Sequence, residues 1–401
     1  MPRRRVREWG IRVGTLPPGR FNHLVDVPGV SVGHVTLWEG DAVRTGVTAI
    51  LPHGGNWFRE KVPAAAFVLN GFGKTVGLVQ VKELGLLEGP ILLTNTFGVA
   101  AALEGALRYM LAENPDLGEA WGSINLVVAE CNDSWLHDMR GLHVRPEHAM
   151  AAIAKARAAL PLLADDAPLE PGAAARRAEA LQEGAVGAGT GMVAFGWKGG
   201  IGSASRRIAA GGQTFHVGVL ALCNFGRRED LIVSGVPVGR LVHGPDDGAR
   251  EGDAPIGSAG VEADGERGSV IVVVATDAPL LSRQLRRVAK RAALGLARVG
   301  GYAYHGSGDI VLAFSTGLRV AASPSSEASW LSLTVWRDDD PAMNALFRAA
   351  VEATEEAVLN ALFVAETVTG KGGRVAHALP AERVAAYWHA LFGGKADPDL
   401  V

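Results

Sequence analysis

A glycine–serine pair stands at the sharpest compositional break in this 401-residue chain. Residues 244–268 are almost entirely Gly, Asp, Glu, Pro, Ala and Arg, and they run without transition into Val270-Ile271-Val272-Val273-Val274-Ala275-Thr276. The first segment cannot bury enough apolar surface to order itself. The second, β-branched and apolar at nearly every position, predicts a central strand covered on both faces. A hydroxyl at the head of such a strand can attack the preceding carbonyl if the loop holds that peptide in a strained geometry. Glycine at 268 helps, because it tolerates unusual backbone angles and does not block the approach. Hydrolysis of the resulting ester would free the α-amine of Ser269, and an α-amine with a pKa of about 7.7–8.0 is a serviceable general base near neutrality. One residue would then supply nucleophile and base. The bland reading, a loop end before a strand, fits the composition equally well.

Other chemistry-bearing groups have similarly divided readings. Gly306-Ser307-Gly308-Asp309 offers a hydroxyl and a carboxylate two residues apart, or an ordinary turn before a strand. Asn224, before Phe225-Gly226, is a side-chain amide donor or a turn asparagine. Gly187-Ala188-Gly189-Thr190-Gly191 hints at a phosphate cradle but lacks the GxGxxG spacing and the lysine of a P-loop. His137, His143 and His148 have no histidine partner at i,i+4 and no HExxH context, so no metal is expected. No cofactor is called for either. Cys131 and Cys223 form no CxxC pair and read as two buried free thiols in a reducing compartment, which favours a cytoplasmic location.

The elements that must position these groups alternate in type. Leu24–Val30, Thr48–Pro52, Gly89–Thr94 and Ile124–Glu130 read as strands between turns, and residues 98–113 as a helix. Residues 147–187 read as helical pieces around a surface insertion at Asp165–Pro168 and Glu170–Gly172. Strands are expected at 215–222, 310–314 and 330–336, and long helices at 279–298 and 341–366. Thr276-Asp277 is placed to cap the first of these helices, with Pro279 in its opening turn. A net charge of −3 gives no global field toward nucleic acid, and no window is long and apolar enough to span a membrane. The basic start, Arg3-Arg4-Arg5, leads to Glu8-Trp9-Gly10 rather than to the apolar core of a secretory signal.

An ordered set of motifs also resembles the L-aminopeptidase/D-amidase-esterase (DmpA-like) family, which includes β-peptidyl aminopeptidases and nylon-oligomer hydrolases. It runs from Asn22-His23-Leu24-Val25-Asp26-Val27-Pro28-Gly29-Val30 through Arg44-Thr45-Gly46-Val47-Thr48, Glu88-Gly89-Pro90, Leu93-Thr94-Asn95-Thr96 and Gly187–Met192. Lys198–Arg206, Asn224-Phe225-Gly226, Gly268–Leu280 and Gly306–Asp309 complete it. The resemblance implies an αββα sandwich of Ntn-hydrolase layering with different connectivity. It also implies one domain cut between Gly268 and Ser269 into 1–268 and 269–401, with assembly into an oligomer, often a tetramer. Carried over position by position, it makes Ser269 the nucleophile, Ser307 and Asp309 the pair that holds its amine, Asn224 an oxyanion donor, and Lys198 a group near the pocket. The acid is often Glu in the family, where this chain has Asp309. Some relatives place a tyrosine in the stretch matching residues 130–135; this chain has none there, which leaves Asn132 or Trp135 to line the pocket. The implied substrate is a small peptide, amide or ester with a free amino group. An acyltransferase on a related fold and a non-catalytic binding protein are the alternatives, and Ser269 in place of a threonine argues against the former.

Overall fold

In the computed structural model, residues 3–164, 172–245, 268–322 and 330–392 are described. The polar loop expected before Gly268 and the insertion around 165–171 lie almost wholly outside them. Two sheets stack face to face. The smaller contains, in spatial order, Ser31–Glu39, Val43–Leu51, Ile91–Asn95 and Val127–Cys131. The larger runs Val320–Ala321, Glu60–Gly71, Ser307–Ser315, Gly268–Thr276, Gln213–Asn224 and Gly200–Ala210.

Strand alternation sorts the buried side chains into three cores. Ile271, Val273, Ala275, Ile310, Leu312 and Leu222 meet Ile50, Leu93 and Ala129 between the sheets. Val270, Val272, Val274 and Val311 face the opposite way, onto helices Ser282–Arg298 and Ala342–Val364. Ala49, Leu51 and Leu92 pack on helices Val99–Glu113 and Pro146–Leu163. Three cores between four layers make the αββα sandwich. No helix among the described residues is long and apolar enough to cross a membrane.

The expected central strand occupies the expected place. Gly268–Thr276 pairs antiparallel with Gln213–Asn224 and parallel with Ser307–Ser315, and both its faces are covered. Three expectations are corrected. Leu24–Asp26 is a 3-10 turn rather than a strand, because Asp26 accepts the N–H groups of Phe21 and His23 and closes the backbone on itself. Helix Ser282–Arg298 is not capped by Thr276-Asp277. Its N-cap is Leu281, and Asp277 instead binds His216 through both the backbone N–H, at 2.6 Å, and ring Nδ1, at 3.0 Å. Residues 330–336 keep their alternating apolar pattern but form no strand, because no described strand offers them a ladder; Trp336 bonds its N–H to Pro279 and sets its ring against Phe215.

Helix Ala342–Val364 is buried on nearly every side, including Glu352, Glu355, Glu356 and Asn360. Those carboxylates are tolerable only because cations reach them. Arg206, fully buried, donates to Glu356 at 2.6 Å and Glu352 at 3.2 Å, and Arg7 donates to Glu356 at 2.7 Å. Asn360 accepts the Val6 N–H and donates to the Ser203 carbonyl. The N-terminal arm is thus stitched to the helix over the large sheet. Arg206→Met would remove the one fully buried cation from that network, while Arg7 still reaches Glu356 and Arg348 still reaches Glu352. A loss of about 2–4 kcal/mol in chemical denaturation is expected; a loss below about 1 kcal/mol would show the Arg206 contacts to be dispensable. The His216–Asp277 pair makes stability pH-dependent. The hydrogen bond that the ring donates to Asp277 raises the imidazole above its ordinary value of 6.5. Its stabilisation is therefore complete below that ordinary value and fades as pH rises through the raised one. Asp277→Asn should lower the Tm at pH 5.5, with the difference from the parent shrinking toward pH 9.

Candidate active site

Ser269 is the second residue of its strand and 5% exposed. Its hydroxyl donates to the carbonyl of Gly268 at 2.5 Å, so the oxygen that would attack already lies against the peptide unit it would open. Three strands converge on this residue. Asn224 stands directly opposite it on the antiparallel neighbour. On the parallel neighbour Gly268 faces Ser307, Ser269 faces Gly308 and Val270 faces Asp309. Glycine at 308 is required for space, since a Cβ there would lie 3.1 Å from the Ser269 Oγ and 2.8 Å from the Phe72 carbonyl oxygen.

Ser307 and Asp309 are both buried, and the Ser307 hydroxyl donates to Asp309 Oδ1 at 2.9 Å. Burial raises the Asp309 carboxyl to about 6, against the lowering effect of that hydrogen bond. Its Oδ2 is buried and has no hydrogen-bond partner. An orphaned carboxylate oxygen is costly in a folded interior and points to a missing cation or donor. Alternation places Ser269 on the pleat of Ile271 and Val273, and Ser307 with Asp309 on that of Val311 and Ala313. The pair therefore flanks the backbone of the Ser269 strand rather than the Ser269 hydroxyl.

The Asn224 carboxamide is oriented by two backbone groups. Oδ1 accepts the Val193 N–H at 3.0 Å, and Nδ2 donates to the Asn132 carbonyl at 2.9 Å. Asn132 itself is exposed, with its side chain accepting the Ser134 N–H. Trp135 is half-buried beside Leu136 and Val193, with the Arg374 guanidinium 4.6 Å from its ring centroid. Lys198 lies close by in sequence space but points elsewhere: its ammonium is fully buried and donates to the carbonyls of Gly189, Met192 and Gly199. All three N–H bonds are committed, and none is left for a substrate.

Two residues of this neighbourhood escaped the sequence reading. Asn70, at the end of strand Glu60–Gly71, donates its side-chain amide to the carbonyls of Tyr304, His305 and Ser307, which fixes the turn that carries Ser307. Glu130 is a buried carboxylate at the end of Val127–Cys131; it accepts the Lys74 N–H at 2.8 Å and the Thr96 hydroxyl. Gly73 lies between it and Gly308, since a Cβ on Gly73 would be 3.6 Å from Glu130 Oε1 and 3.7 Å from the Gly308 Cα. A lone carboxylate after an apolar run gave no signal, although Asn70-Gly71-Phe72-Gly73 is a recognisable glycine turn. The glycine run 187–191 forms a tight 3-10 turn under Thr48 and His34 rather than an anion cradle. Cys131 and Cys223 are buried free thiols, as expected, and burial raises both.

The chain is similar to known proteins over nearly its whole length. The chain is 38% identical over 387 residues to a β-peptidyl aminopeptidase of Sphingosinicella microcystinivorans, covering 94% of this chain and 89% of the relative. It is also 38% identical to the corresponding enzyme of Sphingosinicella xenopeptidilytica, covering 97% and 92%. A solved structure from Pyrococcus horikoshii OT3 superposes with a TM-score of 0.82 at 46% identity, covering 97% of this chain and 99% of that one. The L-aminopeptidase D-Ala-esterase/amidase of Ochrobactrum anthropi, described as a new variant among the Ntn hydrolase fold, superposes with a TM-score of 0.80 at 32% identity, covering 98% and 99%. With the model of peptidase family S58 matching residues 22–376 as well, the chain belongs to peptidase family S58.

Proposed function

We propose that this chain is a self-processing serine aminopeptidase or amidase, cut between Gly268 and Ser269 into segments 1–268 and 269–401. One observation carries the reading. The Ser269 hydroxyl rests on the Gly268 carbonyl, while the neighbouring strand holds a carboxylate oxygen with no partner. Attack of Oγ on the Gly268 carbonyl carbon, with transfer of the proton to the departing nitrogen, exchanges the peptide bond for an ester. Water then hydrolyses the ester and releases the amine of Ser269. That amine lies about one strand spacing, roughly 4.8 Å, from the backbone that bears Ser307 and Asp309, where it supplies the cation that Asp309 Oδ2 lacks.

In the mature site the amine takes the Ser269 hydroxyl proton as Oγ attacks the amide or ester carbonyl of the substrate. The second N–H of the Asn224 side chain and a backbone N–H receive the oxyanion. The ammonium returns its proton to the leaving amine or alcohol, and water releases the acyl group by the same route. The relatives' named activities support a substrate with a free N-terminal amine, α- or β-linked. Glu130, buried across from Gly308, adds negative charge on that side of the site. Asn132 and Trp135 are proposed to border the pocket where some relatives have a tyrosine. Self-association, as a tetramer by family resemblance, is supported by the exposed Trp330 and Leu331, and a cytoplasmic location by the two free thiols. The motif Gly268–Leu280, with serine rather than threonine at its head, gives the acyltransferase alternative no support.

N-terminal sequencing of the purified protein is expected to yield a fragment beginning Ser269-Val270-Ile271, and Ser269→Ala to remain a single inactive chain. An uncut parent that hydrolyses aminoacyl amides would sink the mechanism. Asp309→Asn keeps the shape of the side chain and a partner for Ser307 but removes the charge. Its kcat on an aminoacyl p-nitroanilide should fall by about 10²–10⁴, and activity within threefold of the parent would remove the carboxylate from the reaction.

A further inference from the structure

Lys198 is a buried charge to which the proposed reaction assigns no task. Its side chain has no exposed surface, and its ammonium donates to the carbonyls of Gly189, Met192 and Gly199 at 3.0, 2.8 and 2.8 Å. Those carbonyls converge because the chain around them has no room for side chains. A Cβ at Gly189 would lie 2.5 Å from the Ile201 nitrogen, one at Gly191 2.2 Å from the Arg44 oxygen, and one at Gly199 2.5 Å from the Cys223 oxygen. The glycines that resemble a phosphate cradle in sequence therefore make a cradle of opposite polarity, with oxygens turned in on a cation. Asp133 is buried nearby, and burial raises it to about 8 against the lowering effect of Thr45. Burial likewise lowers Lys198 to about 7, against the attraction of Asp133. Keeping an ammonium in such an interior is costly.

The group that the charge acts on is identified by a single peptide unit. The Met192 carbonyl accepts from Lys198, and the N–H of that same peptide, on Val193, donates to Asn224 Oδ1 at 3.0 Å. A cation drawing on the carbonyl oxygen polarises the peptide and strengthens its N–H as a donor. A donor fixed at this point decides which way the carboxamide faces, because only Oδ1 can meet it. Nδ2 is then left facing the Asn132 carbonyl at 2.9 Å, with its second N–H available to the site.

We infer that Lys198 is a positioning residue which, through the Met192–Val193 peptide, locks the Asn224 carboxamide in the orientation that presents Nδ2 to the oxyanion. This rests on the reading of Asn224 as an oxyanion donor, and the test separates the two. The parent, Lys198→Met, Asn224→Ala and the double variant are compared on one aminoacyl p-nitroanilide. Removal of an oxyanion donor typically costs about 10²–10³ in kcat. Lys198→Met is expected to lose about 10- to 100-fold in kcat with KM within twofold, and the double variant to be no slower than Asn224→Ala. Losses that multiply would overturn the inference by showing that Lys198 acts independently of Asn224. An Asn224→Ala enzyme as fast as the parent would instead overturn the oxyanion reading, and the inference with it.

Because Lys198→Met leaves three buried carbonyls uncapped and so threatens folding, a second variant approaches from the other side. Val193→Pro keeps the lysine and deletes the N–H, although it also restricts the backbone of Met192, so the Lys198 contacts are checked in its crystal structure. It should reproduce the kcat loss without adding to that of Asn224→Ala, and its crystal structure should show the Asn224 carboxamide turned away from Asn132. Parent-like kcat with an unmoved amide would overturn the inference.

Discussion

The chemistry of this molecule depends on the register in which Gly268–Thr276 is held between two strands of opposite sense. A slip of one residue would turn every side chain of the strand to the other face and carry Ser269 from the inter-sheet side to the helix side. The strand itself specifies its register poorly, because valine and isoleucine fill both faces and either pleat would bury them. Shape has to make the distinction. Gly218 admits the Leu24 backbone, with a would-be Cβ only 2.7 Å from its oxygen, and Gly308 admits the Ser269 hydroxyl. A slipped strand would bring β-branched side chains against positions that tolerate none. Space-making glycines on the flanking strands thus favour one register, and that register sets Asn224 and Gly308 beside the Ser269 hydroxyl and the Ser307–Asp309 pair beside its backbone.

Much of the polar interior elsewhere is paired, although His23 Nε2, Ser31 Oγ, His34 Nε2 and Glu355 Oε1 are also buried without a partner. Arg206, Glu352 and Glu356 complete one another, and Asn360 uses both ends of its amide. Asp309 Oδ2 and the Asp133 carboxylate are two such unpartnered groups near Ser269. One lies beside the Ser269 backbone and the other next in sequence to Asn132, whose carbonyl holds Asn224. Natural folds leave such groups unsatisfied chiefly where another atom is to arrive or where an electrostatic field is being used. Asp309 Oδ2, beside the head of the Ser269 strand, is thus a pointer to the site.

Much of this was legible in the sequence, for identifiable reasons. The central strand showed itself because a core strand on both faces is a continuous β-branched run, and its abrupt polar border marked the serine at its head. Ser307, Asp309 and Asn224 needed the family resemblance, because a hydroxyl, an acid and an amide in glycine turns have ordinary explanations. Glu130 and Asn70 were illegible, since their importance comes from the stacking and pairing of strands far apart in the chain. The lysine is legible in another way. The resemblance puts it near the pocket, and the fold turns its ammonium into a ring of carbonyls that no local pattern announces. Residues 330–336 had the alternation of a strand, but alternation describes a half-buried ribbon without supplying the neighbour that would complete it.

The uncut geometry also bears on why processing would run in one direction. In the intact chain the nitrogen of Ser269 is an amide and cannot carry charge, so Asp309 is buried beside a neutral backbone and its carboxyl sits near 6. Cleavage replaces that amide by an amine whose ordinary pKa is about 7.7–8.0. A protonated amine next to the buried carboxylate gives each group the partner that burial had denied it, which lowers the acid and raises the base. The product state is therefore favoured by the same desolvation that penalised the precursor. The electrostatic strain that would drive maturation and the pairing that would hold the catalytic base in place are then one interaction, met before the cut as a cost and after it as a support.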